Sequence, residues 1–504
     1  MSIEIKKCAV LGAGVMGAQI AGHIANAGIP SLLFDINEEL AQKGVDGLSK
    51  LKPAPLFSSS NKSLVTPCTY DNDLEKLSDC DLIIEAVAEK IEIKHAVYKN
   101  LLPHLKKGAI LASNTSGIPL ANLVEVLPED IQKSFLIAHF FNPPRYLKLL
   151  ELVKGEKTSE EVYETMTEFG ETTLGKGIVH AKDTPGFIGN RLINAGGPLT
   201  YHKAVEMGLT VEDVDALSGT LVGNAKSAYF RTQDVVGLDT ALNVQNNMFD
   251  RVTTESEEER QKFKAPDMLV KLVEEGRLGQ KSGSGWYKKE GKEILSLDLD
   301  TMEYTPTKKR MFDTIRVGKP IKDLKKRLAA ITYLDDIGAK FLWECNAPMF
   351  TYTANLIPEI ADSIVEIDNA MRWGFAREVG IFDAWDAIGV EKSVNKMKEE
   401  NRKVPTWVEE MLAAGRKSFY EIKNGEMTYW CPVEKKSLVY AQNKKVLNLN
   451  LYKDTKNTIK RDWSASIHDI GDGVLNVEFH SIFVPAFNPL DRSMNDIMKH
   501  ALDL

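Results

Sequence analysis

The chain has 504 residues, too many for one hydrophobic core; about 150 residues per domain gives roughly three. Hydrophobic residues make up 43% and charged residues 27%, the balance of a folded rather than a disordered chain. A net charge of −8 argues against a nucleic-acid partner, and five scattered cysteines without CxxC spacing argue against disulfides or a zinc site, so no metal is expected.

A strand pattern begins almost at the N-terminus, leaving no room for a signal peptide, and no apolar run approaches the roughly 20 residues that span a bilayer. A cytoplasmic chain without a membrane span is expected. The strand "KCAVLGAG" leads into the helical spacing of "VMGAQIAGHIANAG", and "PSLLFDI" is a second strand. "LKPAPLFSSSNKSLVTP", between Asp35 and Asp81, reads as an irregular excursion. "CDLIIEAV", a helix near 91–106 and "GAILASNTS" continue a β-α-β alternation, which implies a parallel sheet with helices on both faces.

"VLGAGVMGAQI" sets Gly12, Gly14 and Gly17 in the GxGxxG order, after a strand and opening a helix. Gly12 permits the turn, Gly14 lets a pyrophosphate approach the backbone, and Gly17 lets helix and strand pack closely. The residues between them, Val15 and Met16, open the helix whose N–H groups would face the phosphates. Asp35 ends the second strand, where a carboxylate accepts from ribose hydroxyls and repels a 2′-phosphate. The expected cofactor is NAD.

"SFLIAHFFNPPRYLKLLELV" holds His139 and Glu151 in apolar strand surroundings. Glu151 shares its strand phase with Leu149 and Val153, so it needs a partner. A turn around "NPPR" would bring it beside His139, where it would fix the imidazole tautomer. The residues alone leave two readings: a base with its orienting carboxylate, or a core histidine and a solvated glutamate.

From about 184 helical periodicity dominates to roughly 275, and "GQKSGSGWYKKEGK" then punctuates it. A basic stretch, "KKRMFDTIRVGKPIKDLKKR", reads as linker or exposed helix, and a second helical block runs from about 328 to 424. "VEDVDALSGTLVGNAKSAYFRTQDVVGLD" parallels "IVEIDNAMRWGFAREVGIFDAWDAIGVE": Asp215 matches Asp368, Phe230 matches Phe382 and Gly237 matches Gly389. Several identities in one order point to a duplication. "EMTYWCPVEKKSLVYAQNKKVLNLNL" is strand-like again, and "ASIHDIGDGVLNVEFHS" precedes a helical tail.

"GAGVMG", "IIEAVAEK", "SNTSG", "HFFNPP", "KDTPGFIGNRL" and "GQKSGSGWY" occur in the order found in the 3-hydroxyacyl-CoA dehydrogenase family, which the chain resembles over roughly residues 5–425. The resemblance implies oxidation of an (S)-3-hydroxyacyl-CoA by NAD, or reduction of a substrate such as acetoacetyl-CoA in reverse. It makes His139 the base, Glu151 its orienting carboxylate, and Ser116 and Asn190 substrate contacts. It places Glu89, Lys94, Asn142, Ser116 and Lys281 on the cofactor side. It also implies a division into a Rossmann-type NAD-binding domain (1–183) and two duplicated all-α, 6-phosphogluconate-dehydrogenase-like domains (184–290 and 328–424). A linker (291–327) joins these two, and an α+β tail (425–504) follows that resembles the start of a crotonase-like domain.

The family pattern "VEN" reads "AEK" here, and the segment between Asp35 and Glu89 is short, so no CoA-binding residues carry over. Two helical blocks resemble the multifunctional fatty-acid β-oxidation subgroup, in which a repeat within one chain stands in for a twin. A monomer or weak homo-oligomer is expected, with a separate enoyl-CoA hydratase or thiolase as partner. The competing functions are a dehydrogenase of a CoA-free hydroxy acid and a non-catalytic scaffold that keeps the fold.

Overall fold

The computed structural model describes residues 3–252, 256–423, 426–440, 449, 452–453, 456–480 and 491–504. They fall into two units, Met1–Lys417 and Ser418–Leu504.

The first unit is built on an eight-stranded sheet. Its strands are β1 (Cys8–Leu11), β2 (Ser31–Asp35), β3 (Val65–Thr69), β4 (Leu82–Glu85), β5 (Ile110–Ser113), β6 (Phe135–Phe140), β7 (Leu149–Lys154) and β8 (Gly177–Ala181). They lie in the order β3-β2-β1-β4-β5-β6-β7-β8. Pairings are parallel except β6–β7, which is antiparallel. Helices α1 (Val15–Asn26), α2 (Glu38–Gly47), α3 (Ile91–Leu101), the short α4 (Leu120–Val124) and α5 (Glu129–Gln132), and α6 (Glu160–Glu168) connect the strands. Strands β1, β4, β5 and β6 are buried throughout, as their unbroken apolar runs require. The order reverses between β1 and β4, and that switch point opens a crevice at the strand ends.

The excursion after Asp35 is more regular than expected. It holds α2 and the edge strand β3, whose Pro67 is tolerated because no strand among the described residues pairs beyond it.

The first helical block contains α7 (Gly189–Glu206), α8 (Val211–Ser218), α9 (Phe230–Val236), α10 (Leu238–Arg251), α11 (Glu257–Gln261) and α12 (Asp267–Glu274). Residues 291–327 are not a bare linker. A three-stranded antiparallel sheet, β9 (Tyr287–Glu290), β10 (Glu293–Leu297) and β11 (Tyr304–Pro306), is followed by α13 (Asp313–Gly318) and α14 (Leu324–Ile331). Leu297 and Phe312 join the same apolar core as Trp286, Phe230 and Phe341, which is why the segment folds.

The second block contains α15 (Ile337–Asn355), α16 (Ile364–Gly374), α17 (Ile381–Ile388), α18 (Val390–Glu399) and α19 (Thr406–Ala413). It covers the β7–β8 edge. Glu366 of α16 accepts the His180 N–H at 2.9 Å, and a Cβ on Gly177 would strike the Trp373 ring.

The second unit begins at 418 rather than 425, because β12 (Tyr420–Lys423) pairs with β13 (Glu426–Cys431), which pairs with β14 (Lys436–Val439). A second sheet, β15 (Thr458–Arg461), β16 (Ala465–Asp469) and β17 (Leu475–Phe479), packs Ala465 and Ile467 against Met494 and Ile497 of α20 (Arg492–Asp503). Most of the strand-like "AQNKKVLNLNL" lies outside the described residues.

Candidate active site

The glycine loop is shaped by contacts rather than composition. Gly12 has φ +101°, and a Cβ there would lie 2.7 Å from Ala86 O; one on Gly17 would lie 1.8 Å from Gly12 O. At Gly14, by contrast, a Cβ would meet nothing within 4 Å, so the loop leaves open space before α1. No side chain caps α1 and its first turn carries no acid, so its leading N–H groups are ready for an anion. Val15 is exposed and Met16 half-buried at that end.

Asp35 Oδ2 accepts from Ala13 N at 2.8 Å and Oδ1 from Ile36 N at 2.7 Å, which fixes the carboxylate beside the loop. Next to it lies a cavity of about 410 Å³ lined by Ile36, Tyr70, Ile93, Ala96 and Val97, with Asp71, Glu92 and Asn100 as its polar lining. The Tyr70 hydroxyl is buried with no hydrogen-bond partner among the described residues. A largely apolar slot with a few polar groups, beside a fixed carboxylate at the end of β2, has the character of a site for a flat heterocycle and its sugar.

At the end of β4, Glu85 is fully buried and holds four donors: Lys94 Nζ at 2.7 Å, Tyr98 OH at 2.9 Å, Ser113 Oγ at 2.6 Å and Val87 N at 2.9 Å. Lys94 is 1% exposed, and it bridges Glu85 and, at 3.3 Å, Glu89. Lys94, expected on the cofactor side, has its ammonium held between these two carboxylates at the end of β4. Glu89 also takes Thr115 Oγ1 at 2.6 Å and Ser116 N at 3.1 Å, with Arg251 of α10 at 3.7 Å. Burial raises its carboxyl pKa, but Lys94, Thr115 and Arg251 outweigh that and bring it below its ordinary value. Glu89 thus shapes the loop that presents the exposed Ser116.

His139 and Glu151 face each other across the antiparallel pair β6–β7. His139 Nδ1 lies 2.8 Å from Glu151 Oε2, with the carboxylate wholly buried. Glu151 Oε1 accepts the N–H groups of Ile188 at 3.2 Å and Gly189 at 2.8 Å, at the start of α7. Two N–H bonds and a helix N-terminus compensate a charge that burial would otherwise penalise. Acceptance by Glu151 makes Nδ1 the protonated nitrogen and leaves Nε2 with its lone pair. Nε2 has no hydrogen-bond partner among the described residues. Phe141 and Phe187 flank the imidazole at centroid distances of 4.5 and 5.5 Å.

Asn190 follows Gly189 on the first turn of α7 and is half-buried. Asn142 ends the turn side of β6, exposed, with Oδ1 accepting from Gln19 of α1 at 3.0 Å. Asn114 Oδ1 accepts from Phe140 N at 2.9 Å, which ties the "SNTS" segment to the strand carrying His139. The strand ends therefore gather the glycine loop, Asp35, Glu89, Ser116, His139, Glu151, Asn142 and Asn190. Lys281 is paired with Asp239 beside Gly237 in the first helical block, with its side chain about half exposed. Sequence reasoning passed over Glu85, the Ile188 and Gly189 amides, and Arg251. Only the Glu in "IIEAVAEK" carried a signal, a carboxylate inside a buried strand.

Fold and loop together define a dinucleotide-binding α/β protein with a helical partner domain. Two family models match in succession: the 3-hydroxyacyl-CoA dehydrogenase NAD binding domain over residues 7–184 and the 3-hydroxyacyl-CoA dehydrogenase C-terminal domain over 186–289. The chain belongs to the 3-hydroxyacyl-CoA dehydrogenase family of NAD oxidoreductases.

It is 41% identical over 502 residues to a "probable 3-hydroxyacyl-CoA dehydrogenase" of Bacillus subtilis, covering 95% of this chain and 63% of that protein. A Deinococcus radiodurans protein with the same description is 43% identical over 294 residues, 57% of this chain and 84% of its own. A fatty acid oxidation complex subunit alpha of Pseudomonas putida is 34% identical, over 56% of this chain and 39% of its own. The chain thus spans less than two thirds of some of these relatives. Among solved structures, 3-hydroxybutyryl-CoA dehydrogenase of Escherichia coli K12 matches the fold with a TM-score of 0.62 at 23% identity, over 82% of this chain and 99% of that one. Among the described residues no helix is long and apolar enough to cross a membrane, and no cluster of His, Cys, Asp and Glu suits a metal.

Proposed function

We propose that the chain catalyses the reversible oxidation of (S)-3-hydroxyacyl-CoA to 3-ketoacyl-CoA. The observation that carries this is the His139–Glu151 pair at 2.8 Å, with Nε2 left as an acceptor at the strand ends beside the glycine loop. NAD, when bound, accepts the hydride from substrate C3. His139 Nε2 takes the hydroxyl proton, and Glu151 stabilises the imidazolium while the α7 N–H groups hold Glu151 still. Ser116 and Asn190 hold the substrate oxygen, a positioning role that keeps the carbon and base in line. Asn142 borders the nicotinamide side, and Asp35 selects NAD over NADP.

The second helical block is read as a repeat of the first that serves structure. Asp215 accepts the N–H groups of Tyr229, Phe230 and Arg231, and Asp368 accepts those of Phe382 and Asp383. Gly237 and Gly389, both at positive φ, separate the following helix pairs. Such a repeat, with its α16 on the sheet edge, would remove the need for a twin chain. A separate hydratase or thiolase as partner, and a cytoplasmic location, complete this reading; the likeness to a fatty acid oxidation complex subunit supports the first.

NADH oxidation with acetoacetyl-CoA, a longer 3-ketoacyl-CoA and a CoA-free keto acid tests the assignment. Turnover of both thioesters and not the free acid is expected. Preference for the free acid, or no turnover of any, would overturn it.

A further inference from the structure

Lys176 is a charged side chain without a counter-ion among the described residues. It immediately precedes β8, is 4% exposed, and its Nζ donates to Pro144 O and, at 2.9 Å, to Leu147 O, beneath the Phe140 ring. The titratable group that feels it is His23 of α1, on which Arg145 also acts. Burial brings the Lys176 pKa down to about 7. Burial first, and Lys176 second, bring the His23 pKa down to about 4.

Burying an ammonium in such surroundings is unfavourable, and acceptors that would otherwise be stranded are one reason to keep it. Both acceptors belong to the 142–148 turn that joins the strand of His139 to the strand of Glu151. The N–H groups of Tyr146 and Leu147 both go to Pro143 O, which leaves the Pro144 and Leu147 carbonyls to Lys176. The same turn presents Asn142 to Gln19 on the dinucleotide helix. It also sends Arg145 NH1 to Ala54 O and Leu56 O, at 2.7 and 2.6 Å, with the guanidinium over the Phe57 ring. One ammonium therefore braces a turn that touches α1 on one side and the 54–57 loop on the other.

We propose that Lys176 is a positioning residue for the dehydrogenase reaction, holding the 142–147 turn so that Asn142 and the strand end at His139 keep their places beside the dinucleotide helix. This rests on the assignment of the His139 site to that reaction. The parent enzyme's activity tests the assignment, and the ratio of variant to parent tests Lys176.

The test compares Lys176→Met, which keeps an apolar stem and removes every donor, with Lys176→Gln, which restores two N–H donors without charge. Lys176→Met is expected to keep the melting temperature of the parent within a few degrees, because a buried charge has gone. Its kcat should fall about 10–100-fold, the scale of a displaced reacting group, with a smaller change in KM. Amide exchange over 142–148 should rise, and Lys176→Gln should recover part of the rate. A Lys176→Met enzyme within twofold of the parent would overturn the proposal. So would equal losses in both variants that follow a fall in melting temperature, which marks a purely structural role. Should Lys176→Met not fold, Lys176→Gln decides alone: slower turnover with faster 142–148 exchange at parent stability supports the brace, and parent-like values overturn it.

Discussion

Helices α7 and α15 open the two helical blocks, are 18 and 19 residues long, and each carries an internal proline, Pro198 and Pro348. They begin differently. Asp336 caps α15, accepting from Ala339 N at 3.0 Å, so that helix satisfies its own N-terminus. The start of α7 has no side-chain cap, and the N–H groups of Ile188 and Gly189 go instead to Glu151 on the sheet. The contrast teaches how one scaffold serves two ends. Where a helix caps itself it contributes packing; where its N–H groups are left to a carboxylate from elsewhere, it helps to hold the buried His139–Glu151 pair.

Breaking the α7 side should cost most. Glu151→Gln removes the charge that orients and stabilises His139, and kcat is expected to fall by about 10²–10⁴-fold with NADH affinity retained; steady-state kinetics with fluorescence titration of NADH measures both. Next comes Asp35→Arg, which exchanges a ribose acceptor for a cation. The ratio of kcat/KM for NAD over NADP should drop by at least about 10-fold, equivalent to roughly 1.4 kcal/mol.

The second block should respond in stability and not in turnover. Asp368→Asn weakens the brace on Phe382 and Asp383, and denaturant unfolding should show a loss of about 1–3 kcal/mol with kcat/KM unchanged. A kinetic defect there would erase the distinction between the blocks. The smallest effect concerns pH. Burial raises the Glu366 pKa to about 7 from an ordinary value of 4.5, so between these values the folded chain holds a proton that the unfolded chain has released. Stability from this group therefore declines as pH rises from about 4.5 to 7 and is level above. Glu366→Gln should remove that slope, on the order of 1–3 °C in melting temperature.

The glycine loop was legible in the sequence for local reasons, and the His139–Glu151 pair was one of the two readings its strands allowed. Three glycines, a strand and a helix lie within one short segment, and twelve residues with two prolines leave a tight return between the paired strands. Glu85 was not legible, because its partners stand at 94, 98 and 113 and nothing in "LIIE" names them. The same network holds Lys94, whose buried carboxylate partner nine residues earlier is not marked by the motif. The Lys281–Asp239 pair was not legible either, because its members stand 42 residues apart and no motif links them. In 291–327 the run of lysines masked Leu297 and Phe312, two apolar anchors spaced too widely to show a period.

The central claim is that His139 Nε2 takes and returns the substrate proton. Single-turnover reduction of acetoacetyl-CoA by NADH-loaded His139→Gln tests it most directly, with NADH affinity measured on the same sample. The account predicts parent-like NADH binding and a single-turnover rate lower by about 10²–10⁴-fold. A rate within a few fold of the parent at equal NADH occupancy would contradict it.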